Sequence, residues 1–396
     1  MKNIIAKSYD YLFALLLIVV PLSKAAPNIV IALIALCFII DFKSIDFKPL
    51  KKLPVVLFYS FMVYFFTKAA ITGSLFTEWS VYKKYIILFF IPVLFLKVKN
   101  TGLVKAGVVT GVTISILATL ALAARYYFSN GTLPFANGEV VNTLLLLERP
   151  YAGFFAIAGA VFSLDLIGEY PKYKKLLVAC SLAAVAFIII IAARISFITL
   201  ILLALLYILF YFRVKAQVKL VFVGVFFALT AIVFVFSKNI TDRFFVKESV
   251  EVALDYEPRI VIWPCAVNLM QQDDFNPVVG YPNNKMVENR LVDCYTTSIT
   301  NNQSKNDYFR SERFNTHNQF LDLYLTAGIL GLCLFLAFLV TLFLQVRTDF
   351  AYTAVLVAIV LFLLVENVLH RQMGCYIFSI FGALLMMRKP VENDKN

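Results

Sequence analysis

The side chains best suited to chemistry in this 396-residue chain are few and clustered near the ends of apolar runs. There are two histidines, His317 and His370. Thr316-His317-Asn318-Gln319 has the pattern of a capping box, with Thr316 as N-cap and Gln319 three residues later. An apolar run over 320–346 follows, so the spacing predicts a helix that starts at a membrane surface with His317 in its first turn. The start of a helix carries partial positive charge, which disfavours imidazolium and attracts anions. A neutral histidine beside a phosphate-sized site is suited to act as a general base near neutral pH. The structural alternative is an interfacial histidine that only bonds a backbone carbonyl. His370 lies outside any such pattern and serves as the contrast.

Arginine is the second theme. Arg149, Arg194 and Arg371 flank apolar runs, and Arg259 opens a short amphipathic stretch, 259–271, that also holds Trp263. Pro264 would sit in the first turn of that stretch, where its missing N–H does no harm. A lone arginine at a run end is explained by snorkelling to the headgroups. Several on one face suit an anionic ligand of diphosphate type, because guanidinium binds phosphate through paired, charge-assisted hydrogen bonds. Glu366-Asn367 ends another run; its carboxylate either pairs with Arg371 or orients a catalytic group. No CxxC or HExxH spacing and no Gly-rich phosphate loop occurs, so neither a metal nor a cofactor is expected. Cys37, Cys180, Cys333 and Cys375 fall in apolar runs and read as small buried hydrophobes. Cys265 and Cys294 do not, and in an oxidising compartment they are a disulfide candidate. Such a bridge would close a loop of about 30 residues, contributing roughly 3 kcal/mol. Two unpaired thiols are the alternative.

These residues must be positioned by a membrane domain. The chain is 61% hydrophobic and 15% charged, with mean hydropathy +0.83; soluble domains have about 45–50% apolar and about 25% charged residues. About twelve apolar runs are expected to span, near 8–23, 26–41, 53–70, 83–97, 103–124, 150–168, 175–193, 196–212, 218–236, 318–345, 349–366 and 371–388. The segments on one side carry 19 Lys and Arg against 8 in the short segments opposite, which puts both termini in the cytoplasm. Lys24, Lys68, Lys83, Lys84, Arg125, Arg149, Arg194 and Arg371 are those 8. Lys2, Lys7 and the run that follows also resemble a secretory signal, but a second apolar run begins at once and favours an uncleaved hairpin. The expected organisation is a membrane domain over 1–236, a long outer loop over 237–317 and a second membrane segment over 318–396. A loop of that length is functional or disordered, and its spread of aromatic residues argues for order. The net charge of +12 reflects loop topology rather than nucleic-acid binding, since no basic tract reaches the needed length. A transporter would bury ionisable groups near mid-bilayer, and a scaffold would not need the outer cations; span centres nearly free of charge favour an enzyme.

Several blocks resemble the O-antigen ligase and Wzy-type polymerase superfamily. Thr316-His317-Asn318-Gln319-Phe320-Leu321 with Gly328-Ile329-Leu330-Gly331 is similar to its HNxxL and GxxG block. Arg259-Ile260-Val261-Ile262-Trp263, followed by Asn276-Pro277-Val278-Val279-Gly280, looks like its RxxxW region. Ala193-Arg194-Ile195-Ser196 and Glu366-Asn367 with Arg371-Gln372-Met373-Gly374 match in place. Where the family often has a second glycine after Gly280, this chain has Tyr281-Pro282, and Ile195 replaces a small residue. The resemblance covers about 190–388. It implies an all-α, GT-C-like polytopic fold at the bacterial inner membrane, without metal. The implied donor is an undecaprenyl-diphosphate-linked glycan, and the acceptor is lipid A–core or a growing glycan, at the periplasmic face. Carried over by position, Arg194 and Arg259 would hold the donor diphosphate and His317 would activate the acceptor hydroxyl. Arg149 is a further donor contact, and Glu366, Asn318, Trp263 and Arg371 are supporting residues.

Overall fold

Apolar runs of this length fold as helices because backbone groups in lipid must bond one another. The computed structural model describes residues 2–136, 138–236, 258–299 and 302–388, and among them there is no strand. In chain order the α-helices are α1 (Lys2–Val19), α2 (Ala26–Ile40), α3 (Leu53–Ile71), α4 (Ser74–Thr77), α5 (Trp79–Phe95), α6 (Thr101–Asn130), α7 (Gly138–Leu144), α8 (Arg149–Glu169), α9 (Lys174–Ile190), α10 (Arg194–Leu206), α11 (Ala216–Phe236), α12 (Arg259–Leu269), α13 (Asn284–Ser298), α14 (Gln303–Glu312), α15 (Gln319–Val346), α16 (Phe350–Leu363) and α17 (Gln372–Met386). Six helical segments are long and apolar enough to cross a membrane: Leu53–Ile71, Thr101–Asn130, Arg149–Glu169, Pro171–Ile190, Arg194–Tyr211 and Gln319–Val346. The protein is an all-α, multi-pass membrane helix bundle. Residues 237–257 of the expected loop, and Lys389 and Lys395 of the basic count, lie outside the described residues. Lys68, Lys83, Lys84 and Arg125, expected in short loops, are instead inside α3, α5 and α6.

The chain forms two compact units. The first comprises Met1–Asp46, Leu96–Phe245 and Arg347–Leu361. Here α6 packs on α1 and α8, and α8 packs on α9. Gly107 and Gly111, four residues apart on α6, set the first of these contacts: an added Cβ would lie 2.5 Å from Ala14 O and 2.7 Å from Leu17 O. Small residues at this spacing are how membrane helices approach closely. Buried cations are neutralised locally. Lys97 pairs with Asp41, and Lys105 Nζ lies 2.6 Å from Asp165 Oδ2.

The second unit comprises Phe47–Phe95, Val246–Val346 and Phe362–Asn396. Its membrane part packs α3 on α15 and α5 on α17, around ring contacts of Phe58, Phe61, Phe335, Phe338 and Phe378. The described part of the polar stretch folds as α12, α13 and α14, around a small core that includes Ile262, Ala266, Leu269, Tyr281, Leu291, Tyr295 and Phe309 and is shared with Leu325 of α15. The start of α13 is capped from two sides. Asn283 Oδ1 accepts from Met286 N at 2.8 Å, and the Glu78 carboxylate accepts from Lys285 N at 2.6 Å and Asn284 Nδ2 at 2.8 Å. Pro264 falls in the middle of α12 rather than in its first turn. It therefore removes one backbone N–H from the helix ladder.

The expected continuous run over 318–345 is interrupted. Gly328 adopts φ 62° and ψ −168°, which breaks α15. A break inside a membrane helix leaves donors and acceptors that must find partners, and here the 276–281 turn supplies several. Ile329 N donates to Pro277 O at 2.9 Å, and Leu330 N to Val278 O at 3.2 Å. On the other side Tyr281 N donates to Leu325 O at 2.8 Å, Tyr64 Oη to Ala327 O at 2.7 Å, and Lys68 Nζ to Thr326 O and to Tyr281 O. Gly328 and Gly280 (φ 75°) both occupy the left-handed half of backbone space, and a Cβ on Gly280 would lie 2.6 Å from Leu325 O. Glycine is required at both positions by conformation and by close approach. The Asn276–Gly280 and Gly328–Gly331 motifs of the sequence are thus two halves of one clasp.

Candidate active site

His317 is placed by the segment that precedes α15. The capping arrangement differs from the expected one. Asn318 is the cap, its Oδ1 accepting from Phe320 N at 3.0 Å and Leu321 N at 3.1 Å. His317 therefore precedes the helix, with φ 44°. Thr316 faces elsewhere, and Gln319 Oε1 accepts from Leu369 N at 2.8 Å rather than reaching back to the cap. Asparagine takes the role because its side chain reaches the second and third helical N–H groups. Side chains from other elements hold the same segment. Trp263 Nε1 on α12 donates to Thr316 O at 3.1 Å, and Tyr295 Oη on α13 donates to Phe314 O at 3.0 Å.

Around the His317 imidazole the second unit gathers three more of the residues singled out from sequence, Glu366, Arg371 and Arg259. His317 Nδ1 lies 3.6 Å from Glu366 Oε2, and Arg371 Nε lies 3.5 Å from Glu366 Oε1. Arg259 Nη2 donates to Val365 O at 2.6 Å, one residue before that acid. Burial alone would raise the Glu366 pKa, but His317, Arg371 and Arg259 outweigh it and hold the carboxyl below its ordinary range. An ionised Glu366 facing Nδ1 favours the tautomer with hydrogen on that nitrogen and leaves Nε2 to accept a proton. The imidazole keeps 18% of its surface exposed and the Glu366 side chain 10%, so the ring can be reached while the carboxylate is more shielded.

Arg149 and Arg194 lie in the first unit. Each is the first residue of its helix, α8 and α10 respectively. Arg149 is buried and Arg194 exposed. The tight junction before Arg194 is made by Ala192 at φ 47° and an extended Ala193. Gly153, one turn into α8, lets these helices touch at their starts: an added Cβ would lie 3.0 Å from Ala193 Cβ and would clash with Ser196. Helix starts favour anions, so each arginine is combined with a backbone group of the same preference. Cys265 and Cys294 are joined as a disulfide, with Cα atoms 5.7 Å apart. It ties α12, which begins with Arg259, to α13. Among the described residues no group of three or more His, Cys, Asp or Glu side chains could hold a metal.

Three polar residues around this site had no assigned role in the sequence reading. His370, the expected contrast, lies with Nε2 2.8 Å from Asp322 Oδ2. Asn367 Nδ2 donates to the other oxygen of Asp322 at 3.1 Å. Asp322 had a visible signal: it is an acid three residues inside an apolar run, where an ionisable group needs partners.

Residues 178–336 match the family model described as O-Antigen ligase, which supports assignment to the O-antigen ligase and Wzy-type superfamily. The match includes Arg194, Arg259 and His317, while Arg149, Glu366 and Arg371 lie outside it. It supports an enzyme that acts on a lipid-linked glycan. No curated protein matches the chain.

Proposed function

We propose that the protein is a metal-independent glycosyltransferase that moves a glycan from undecaprenyl diphosphate to lipid A–core, as an O-antigen ligase does. The observation that carries this reading is the His317–Glu366 contact flanked by Arg259 and Arg371. The acceptor hydroxyl gives its proton to His317 Nε2 while its oxygen attacks the anomeric carbon. The carbon–oxygen bond to the diphosphate breaks, and the lipid diphosphate leaves with the electron pair. Glu366 steadies the imidazolium that forms. Arg259 is assigned to the charge that develops on the leaving group, and Arg149 and Arg194 to the donor diphosphate. Fixed guanidinium donors are most effective against charge that appears in the transition state. Asn318, Trp263 and Arg371 support this arrangement by holding the His317 segment and Glu366.

In this reading about twelve helices span the inner membrane in a GT-C-like arrangement, both termini are cytoplasmic, and the chemistry occurs at the periplasmic face. A Wzy-like polymerase would use the same residues with a growing glycan as acceptor. The direct test is transfer by the purified protein from a polyprenyl-diphosphate glycan to lipid A–core. Product from the wild type and at least about 100-fold slower transfer by His317→Ala is the expected result; a fully active His317→Ala removes the assignment of the base. Sidedness is tested with a cysteine placed at Asn302, which an impermeant reagent should label in intact spheroplasts. Labelling only after lysis would reverse the orientation.

A further inference from the structure

Buried Asp322 and half-buried His370 form a pair that the transfer step does not use. The Asp322 side chain is 5% exposed, and its Oδ2 faces His370 Nε2 at 2.8 Å. A carboxylate at the apolar start of α15 is costly unless both oxygens are satisfied. The second oxygen accepts from Asn367 Nδ2 at 3.1 Å, and Asn367 has no exposed surface. That bond fixes which way the amide points. With Nδ2 committed to Asp322, Oδ1 faces the His317 segment, where it accepts from Asn318 N at 2.7 Å and lies 3.0 Å from Thr316 Oγ1. One amide therefore grips the residues on both sides of His317. His317 itself, at φ 44°, is in a backbone region that non-glycine residues occupy only when their surroundings hold them there. Asn367 also directly follows Glu366, so one short segment presents both the acid that faces the imidazole and the amide that braces its backbone.

We infer that Asn367, oriented by the Asp322–His370 pair, is the positioning residue that keeps His317 aligned with Glu366. This rests on the reading of His317 as the base. The pair is then an orienting device: Asp322 holds the amide in one direction, and His370 holds Asp322.

The experiment exchanges the two ends of the Asp322–Asn367 bond in the full-length protein. Asn367→Asp keeps the acceptor for Asn318 N and Thr316 Oγ1 but sets a second carboxylate against Asp322. Adding Asp322→Asn returns an amide donor to that contact and leaves an oxygen for His370. With a synthetic polyprenyl-diphosphate glycan as donor and lipid A–core as acceptor, Asn367→Asp should lower kcat about 100-fold, the size expected for a base displaced by about 1 Å. The donor KM should stay unchanged. The double variant should regain most of the lost kcat, a recovery that a purely structural role would not give in kcat alone. Thr316→Val, a milder change, should lower kcat to a smaller extent, again without a change in KM. Wild-type kcat in Asn367→Asp or Thr316→Val, or a double variant no faster than Asn367→Asp, overturns the inference. His317→Ala separates it from the reading beneath it. Wild-type activity in that variant defeats the base assignment, whereas a strongly impaired His317→Ala beside a fully active Asn367→Asp defeats only the brace.

Discussion

The two units place the arginines singled out from sequence in different ways. In the first, Arg149 and Arg194 begin adjacent helices, and their positions follow from helix starts and the Gly153 contact. In the second, Arg259 and Arg371 surround an acid, and the acid faces a histidine. Both histidines of the chain belong to the second unit. In the first unit the arginines proposed for donor binding are placed by helix starts, where anions are favoured. The second offers charge balanced around a titratable group, which suits moving a proton. In the proposed reading, anion binding draws on arginines of the first unit and proton transfer on His317 of the second.

The largest expected effect tests the second half of that contrast. His317→Ala should reduce transfer by about 10²–10⁴-fold, the usual contribution of a positioned base. Donor binding should be retained, as measured by saturation with labelled donor. If Arg149→Ala and Arg194→Ala cause the same loss in kcat, the division between holding and proton transfer fails. Next in size is Arg259→Lys, which should reduce kcat by about 10²-fold, because an ammonium lacks the planar fork that lets one N–H bond Val365 O while others face a phosphate. Arg149→Lys and Arg194→Lys should act mainly on donor KM, since charge at a helix start is retained. A change confined to kcat in those two variants would erase the contrast.

Smaller effects sharpen it. Opening the Cys265–Cys294 bridge with serine at both positions should destabilise the α12–α14 core by roughly 3 kcal/mol, read by proteolysis or hydrogen exchange. Unchanged protection would mean that the core of this region is sufficient without it. The smallest effect is a pH dependence. Burial works against the charged form of His370, but Asp322 overcomes it and raises the group above its ordinary value of 6.5. Glu78 adds to this effect and Lys84 opposes it. Stability from the pair is therefore fully present below about pH 6.5 and is lost as pH rises through the raised value. The melting-temperature gap between wild type and His370→Gln should narrow with rising pH; a widening gap would contradict the ion pair.

Much of the helical layout was legible because hydrophobic run length is a local property. Each expected apolar run has a helix at its place in the order, and six segments have the length and hydropathy to cross a membrane. The exception within α15 is instructive. Gly328 sits in a motif visible from sequence, yet its break depends on carbonyls of 277–278 arriving from 50 residues away, which hydropathy does not encode.

The same division runs through the site. Residue type and place in the sequence marked His317, Arg259 and Glu366 as chemically apt, with snorkelling, carbonyl bonding and pairing with Arg371 as their structural alternatives. The cap was misplaced by two residues, since the Thr316–Gln319 pattern competes with Asn318, and tertiary bonds to Asn367 and Leu369 decide between them. His370 was placed outside the chemistry for a similar reason: its partner Asp322 is 48 residues away, and only packing reveals the pair. The sequence by itself determined the helices, the reactive residue types and the family resemblance, all carried by local composition and short motifs. Tertiary structure decided which of those groups meet within a unit, because hydrogen bonds between distant segments depend on angles and distances that no local pattern contains.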